Sequence, residues 1–242
     1  LVNVFSFDTG TLEIGSLTAS TKGANGSTTT TTINIGGGTV TTGAWTLATA
    51  SGAGTAVATA NLTGGNITFS GAISRGADAA GGGTATGTVN LNGANLNMGG
   101  NTIGTATNQI VFNAQSGTLQ NVGEINGGGN LTKTTAGTLV LAGDNNYTGR
   151  TIVSAGVLSV SSEDNLGDNP VAFNAAQLEI DGGTLLTTAS FTIDDANRGI
   201  TVGATGGTIE TAVGTALTVA STNPIVLTGA LTKTGDGALY IN

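Results

Sequence analysis

The feature that most limits what this chain can become is a short unit repeated along its length: two apolar residues two positions apart, bracketed by glycine or asparagine. Leu12 and Ile14, Ile33 and Ile35, Ile67 and Phe69, Val89 and Leu91, Leu96 and Met98, Leu139 and Leu141 are such pairs. Leu178 and Ile180, Phe191 and Ile193, Ile200 and Val202, Leu217 and Val219, Leu239 and Ile241 continue the series. Side chains at i and i+2 share one face of a strand, so each unit reads as a short strand with one side buried. No stretch places apolar residues at i, i+3, i+4 and i+7, and the Thr, Gly and Asn that fill the windows are poor helix formers.

Glycine supplies 42 of the 242 residues, often as Gly-Thr-apolar, at Gly37 to Val40, Gly117 to Leu119, Gly137 to Leu139, Gly183 to Leu185 and Gly207 to Ile209. Glycine reaches positive φ at no steric cost, so these positions are expected to be corners. The corners at Gly117 and Gly137 and the apolar units at Leu139 and Leu158 set a step of about 20 residues, longer than the strand spacing of sandwiches and suited to a solenoid rung. Residues 129–142 (GNLTKTTAGTLVLA) also align without gaps on residues 229–242 (GALTKTGDGALYIN), with 7 of 14 positions identical. The pattern predicts an all-β chain: one right-handed parallel β-helix over residues 1–242 with about twelve rungs, and repeat copies near 127–160 and 227–242.

Charge and composition remove several functions. The formal net charge is -8, with six Lys and Arg scattered from Lys22 to Lys233, so no basic stripe awaits nucleic acid. No apolar run is long enough for a spanning helix, and 4% aromatic residues cannot build the girdles of a membrane barrel. The first ten residues, LVNVFSFDTG, lack the basic start and apolar core of a signal peptide, so any export signal is expected to have been removed, or the chain to be an excerpt of something larger. With no His and no Cys, a hydrolytic triad has no ordinary base and there is no thiol chemistry.

Residues 127–160, GGGNLTKTTAGTLVLAGDNNYTGRTIVSAGVLSV, resemble the autotransporter-associated β-strand repeat, also called the passenger-associated transport repeat. The resemblance rests on Leu131 and Lys133, Gly137 with Leu139 and Leu141, and Gly143 with Asn145, Tyr147 and Gly149, followed by Thr151 with Val153 and Leu158 with Val160. Thr135 and Arg150 stand where that family commonly has glycine, and a truncated second copy begins at Leu231. The segment 197–209, NRGITVGATGGTI, looks like the stretch that often lies upstream of such a repeat. The resemblance implies a surface-exposed or secreted β-helical passenger of a Gram-negative autotransporter or related giant adhesin. The repeat itself is associated with passenger folding and transport and brings no catalytic residues.

Few other positions offer chemistry. The stretch 163–168 (Glu163, Asp164, Asn165, Leu166, Gly167, Asp168) could offer oxygens to Ca²⁺ but lacks the spacing of an EF-hand loop, so it reads as a polar loop. Asp194 and Asp195 read as a turn before Arg198 rather than a carboxylate pair. The glycine runs 36–38 and 81–83 are not phosphate loops, because no helix follows. Sequons at Asn25 and Asn66 are expected by chance in a chain so rich in Asn and Thr. Thr-x-Thr pairs at 39/41, 86/88, 105/107, 132/134 and 232/234 raise an ice-binding reading, but their irregular spacing predicts solvated strand faces instead.

No catalytic, cofactor or metal residue is therefore assigned, and the expected role is a non-catalytic rod, display scaffold or extracellular filament at the surface of a Gram-negative bacterium. The alternative is a polysaccharide-binding or polysaccharide-degrading β-helix. The last strand-like residues, 238–242, end inside a repeat, so the expected partner is the same protein or adjoining rungs end to end, with host receptors or glycans as further candidates. No nucleic-acid partner and no membrane insertion by this segment are expected.

Overall fold

A computed structural model describes residues 1–23 and 26–242, so the sequon at Asn25 lies outside the described residues. The chain is an all-β parallel solenoid of about nine turns, fewer than the expected twelve. Contacts divide it into two compact units, residues 1–113 with 117–128, and residues 114–116 with 129–242. No helix among the described residues is long and apolar enough to cross a membrane.

In the first unit, strands Val2–Phe7, Thr28–Ile35, Thr55–Leu62 and Ala85–Asn97 pair in order, all parallel. Strands Thr11–Ile14, Thr39–Thr42 and Asn66–Phe69 continue each rung past a corner, and Leu17–Lys22, Trp45–Ala50 and Ile73–Ser74 build the facing sheet. Like residues stack on like: Leu12, Val40, Ile67 and Leu96 form one inward column, and Leu17, Trp45, Ile73, Ile103 and Ile125 another. Trp45 is fully buried, meets Phe69 edge-on at 4.9 Å between ring centroids, and donates its indole N–H to the Thr42 hydroxyl at 2.7 Å.

The rung here is longer than the expected 20 residues. Ser6, Asn34, Asn61, Asn90 and Asn113 form a side-chain ladder whose steps are 28, 27, 29 and 23 residues. Each amide donates to the residue one rung earlier, at 3.2, 2.9, 2.8 and 2.7 Å. The extra length lies in strands Thr28–Ile35 and Thr55–Leu62, eight residues each, whose inward positions include Thr29, Thr31, Ala56, Ala58 and Ala60. Corners must pass close to one another: Gly65 has φ +80, and a Cβ on its neighbour Gly64 would overlap the carbonyl oxygen of Gly36 one rung away.

In the second unit, Thr138–Ala142, Val157–Val160, Thr184–Thr187, Gly207–Thr211 and Leu231–Thr234 are the main strands. Leu139, Leu158, Leu185 and Ile209 form their inward column. A second sheet stacks Leu131–Lys133, Thr151–Val153, Asn174–Ile180, Arg198–Val202 and Ile225–Leu227. A third sheet stacks Phe191–Ile193, Ala216–Val219 and Ala238–Ile241. The rung from residue 130 to residue 150 has the expected length, as the Arg150 N–H to Asn130 Oδ1 bond across 20 residues shows.

Candidate functional site

The densest group of buried polar side chains lies in the second unit, inside and just after the segment that carries the family resemblance. Leu131, Leu139, Leu141, Val153, Leu158 and Val160 are buried, as period-2 alternation requires. Between them the chain turns through Gly143 at φ +62 and brings Asn145 and Tyr147 inward, both buried. A buried amide or phenol must find partners, because an unpaired group costs about 1 to 3 kcal/mol.

These side chains find them on the next rung. The Asn145 amide donates to the carbonyls of Asn165 at 2.9 Å and Ala142 at 3.3 Å. The Tyr147 and Thr151 hydroxyls lie 2.7 Å apart, and Thr151 donates onward to the Leu166 carbonyl at 3.0 Å. Tyr147 is therefore the donor of the first bond and must stay protonated; burial pushes its phenol far above the ordinary tyrosine range. Gly167, at φ +90, lies against the Tyr147 ring, where a side chain would collide with Cδ2 and Cε2.

The acceptor segment is a single 3-10 turn, Glu163–Leu166, fixed by its own asparagine. Asn165 Oδ1 accepts the N–H groups of Ser161 at 2.8 Å and Ser162 at 3.0 Å, while its amide donates to the Gly143 carbonyl at 2.9 Å. Arg198, with no exposed surface, closes the turn from the other side. Its Nε meets Glu163 Oε1 at 3.0 Å, and its terminal nitrogens donate to the carbonyls of Leu166 (3.1 Å), Gly167 (2.9 Å) and Asp168 (3.4 Å) and to Asn169 Oδ1 (3.1 Å). Glu163 Oε2 accepts the Asp194 N–H at 3.1 Å. Its carboxyl is held above the ordinary value of 4.5, chiefly because burial disfavours the charge, even though Arg198 opposes the shift.

The two departures from the family pattern add bonds of their own. Thr135 donates its hydroxyl to the Gln115 carbonyl at 2.9 Å and, with its carbonyl and hydroxyl, receives the buried ammonium of Lys133. That lysine has no carboxylate among these acceptors, and desolvation lowers its pKa. Arg150 donates Nε to the Ala176 carbonyl at 2.7 Å and pairs with Glu179. Lys233, the counterpart of Lys133 in the second copy, is exposed and donates to the carbonyls of Thr234 and Gly235 at 2.6 and 2.8 Å.

Three of the side chains in 163–168 are engaged within the fold. Glu163 belongs to Arg198, Asn165 to the turn, and Asp168 Oδ1 accepts the Asn169 N–H at 2.9 Å. Asp164 and Asp168, with Asp144, Asn146 and Asn169, line an open polar depression of about 250 Å³. Among the described residues, no group of three or more His, Cys, Asp or Glu is placed to hold a metal ion. Asp195 opens a turn through Ala196 and Asn197, with the Arg198 N–H on the Asp195 carbonyl at 2.9 Å, and Asp194 precedes it. Arg198 itself gives no sign of burial in the sequence, where it is one of six scattered basic residues.

Residues 131–160 of this parallel β-solenoid match the family model of the Passenger-associated-transport-repeat. Over 118 residues, 49% of the chain, the sequence is 41% identical to the "Adhesin BmaC autotransporter" of Brucella suis biovar 1 (strain 1330). That stretch covers only 3% of the length of that relative. No solved structure matches the chain significantly.

Proposed function

We propose that residues 1–242 are a single non-catalytic β-helical segment of an autotransporter passenger, serving as a rod or display scaffold outside a Gram-negative cell. The observation that carries this reading is the passenger repeat at residues 131–160, in which Asn145, Tyr147 and Thr151 are consumed in binding one rung to the next. The similarity to an autotransporter adhesin supports a place at the cell surface and a role in contact with other surfaces.

Antibody raised against residues 1–242 and applied to intact cells of the source bacterium tests this reading. Labelling without permeabilisation, removed by external protease, is the expected result; labelling only after permeabilisation would overturn it. Release of reducing or unsaturated ends from bacterial or plant glycans by the purified chain would overturn the non-catalytic part.

A further inference from the structure

Val171 is fully exposed, at 103%, the highest value among the described large apolar residues. It stands between the 3-10 turn Glu163–Leu166 and strand Asn174–Ile180, with Ala172 and Phe173 exposed beside it. Among the described residues, none donates to or accepts from the backbone of these three. The chain on either side is fastened. Arg198 holds the carbonyls of Gly167 and Asp168 and the Asn169 side chain. The Asn197 amide donates to the Pro170 carbonyl at 2.8 Å, and the Asn174 N–H donates to the Asn197 carbonyl at 3.0 Å.

We infer that the Val171–Ala172 peptide bond is a cleavage site for a cationic serine endopeptidase with a small aliphatic specificity pocket. Such an enzyme takes up its substrate as an added extended strand through main-chain bonds, and reads the side chain before the scissile bond in a pocket that is small in elastase. Val171 presents a small branched side chain to that pocket. The N–H groups of Val171 and Phe173, which share one edge of an extended chain, are both free to donate to the enzyme. The half before the cut is set in advance, because Pro170 fixes its own φ at about −65° and steers Asn169 into extended backbone. The enzyme's serine oxygen attacks the Val171 carbonyl carbon, the bond to Ala172 breaks, and the enzyme's histidine passes the serine proton to the departing Ala172 amine. Water then releases Val171 as a carboxylate and restores the serine.

The fold singles out this bond. Val213 is the same residue type at 77% exposure, but the Thr215 N–H closes its turn on the Ala212 carbonyl at 3.1 Å, and the Ala212 N–H is held by the Thr187 carbonyl at 3.0 Å. No extended stretch is on offer there. Phe173 would suit a chymotrypsin-type pocket, yet the residue after it already lies in the sheet. No Lys or Arg lies between Arg150 and Arg198, so a trypsin-type enzyme finds nothing in the segment. Asp144, Asp164 and Asp168 line the open depression that Asn169 also borders, in a chain of net charge -8, and this field draws a basic enzyme. The halves stay together after the cut: Thr151–Val153 pairs with Asn174–Ile180 and Val157–Val160 with Thr184–Thr187 across it, while Arg198 and Asn197 keep hold of Asn169 and Pro170. The inference rests on the proposed place outside the cell only for where such an enzyme is met; resistance of the purified chain would leave surface labelling of intact cells standing.

The test is limited proteolysis of the purified 242-residue chain with leukocyte elastase, a basic enzyme of this type, read by mass spectrometry and N-terminal sequencing. The first cut should yield residues 1–171 and 172–242, which separate in a denaturing gel and co-elute in gel filtration. V171K should slow elastase at this bond by about 100-fold, since a small apolar pocket does not seat a charge, and should be cut there by trypsin instead. V213K should gain no trypsin cut at 213. The double variant D144N, D164N should slow the elastase cut of the native segment by about threefold at low salt. A native chain left intact, a first cut elsewhere, V171K resistant to trypsin at 171, V213K cut as fast as V171K, or an unchanged rate in the double Asp variant would each overturn the inference.

Discussion

Replacing Arg198 with methionine removes a buried guanidinium of similar length and leaves its acceptors in place. Glu163 Oε1, the carbonyls of Leu166, Gly167 and Asp168, and Asn169 Oδ1 all lose a donor at once. Summing these acceptors at about 1 to 3 kcal/mol each overstates the loss, because the Leu166 carbonyl keeps the Thr151 hydroxyl, Glu163 retains partial exposure and the turn can open to water. The better guide is the breaking of a buried ion pair by removal of one partner, which costs about 3 to 5 kcal/mol. That is a large share of the roughly 5 to 15 kcal/mol that holds a domain together.

Because a solenoid is stabilised rung by rung, the damage should be local before it is global. Hydrogen-exchange mass spectrometry should show faster exchange in peptides covering 161–169 and 194–202, with those in 28–62 unchanged. Chemical denaturation should shift the transition of the second unit. The double variant Arg198→Met, Glu163→Leu should recover part of the loss, since no charge is then left unpaired. A loss below about 1 kcal/mol, within the range of an exposed pair, with unaltered exchange at 161–169, would refute the clamp.

Three further outcomes follow from the same geometry. Glu163 should titrate above 4.5 by carboxyl-resolved NMR and higher still in R198M; its raised folded value gives stability complete below 4.5 and lost as pH climbs through that folded value, so E163Q should remove this slope. Asn61→Ala leaves the Asn34 carbonyl oxygen and the Asn90 amide unpaired at a half-exposed row, and should lower stability by about 1 kcal/mol in urea denaturation. Gly64→Ala drives a methyl group into the Gly36 carbonyl and should cost about 1 to 3 kcal/mol, while Gly15→Ala, which meets nothing within 4 Å, should be neutral in the same assay.

Strand alternation was legible wherever the inward residues are aliphatic: Leu139 and Leu141, or Ile200 and Val202, announce themselves. It failed where they are small. Ala56, Ala58, Ala60, Ala85 and Gly87 face inward in the long strands of the first unit, and Thr29 and Thr31 are buried there too. No hydrophobic contrast marks those parts of the strands, only their ends at Ile33 and Ile35 or Val89 and Leu91, so the compact repeat near 129–160 sets too short a rung and too many turns. The passenger repeat was visible because its residues have fixed jobs: Tyr147 needs Thr151, and Asn145 needs the carbonyl of Asn165. Arg198 was not, because its acceptors are mostly backbone carbonyls some 30 residues away that no side-chain pattern encodes.

The asparagine column of the first unit has a direction. Every amide from Asn113 back to Asn34 donates toward its lower-numbered neighbour, and Asn34, Asn61 and Asn90 each accept from the higher-numbered one. Rotating any interior carboxamide by half a turn would set N–H against N–H on one side and oxygen against oxygen on the other. The dipoles therefore reinforce one another like magnets in a row, and the column runs with one polarity from Asn113 to Asn34.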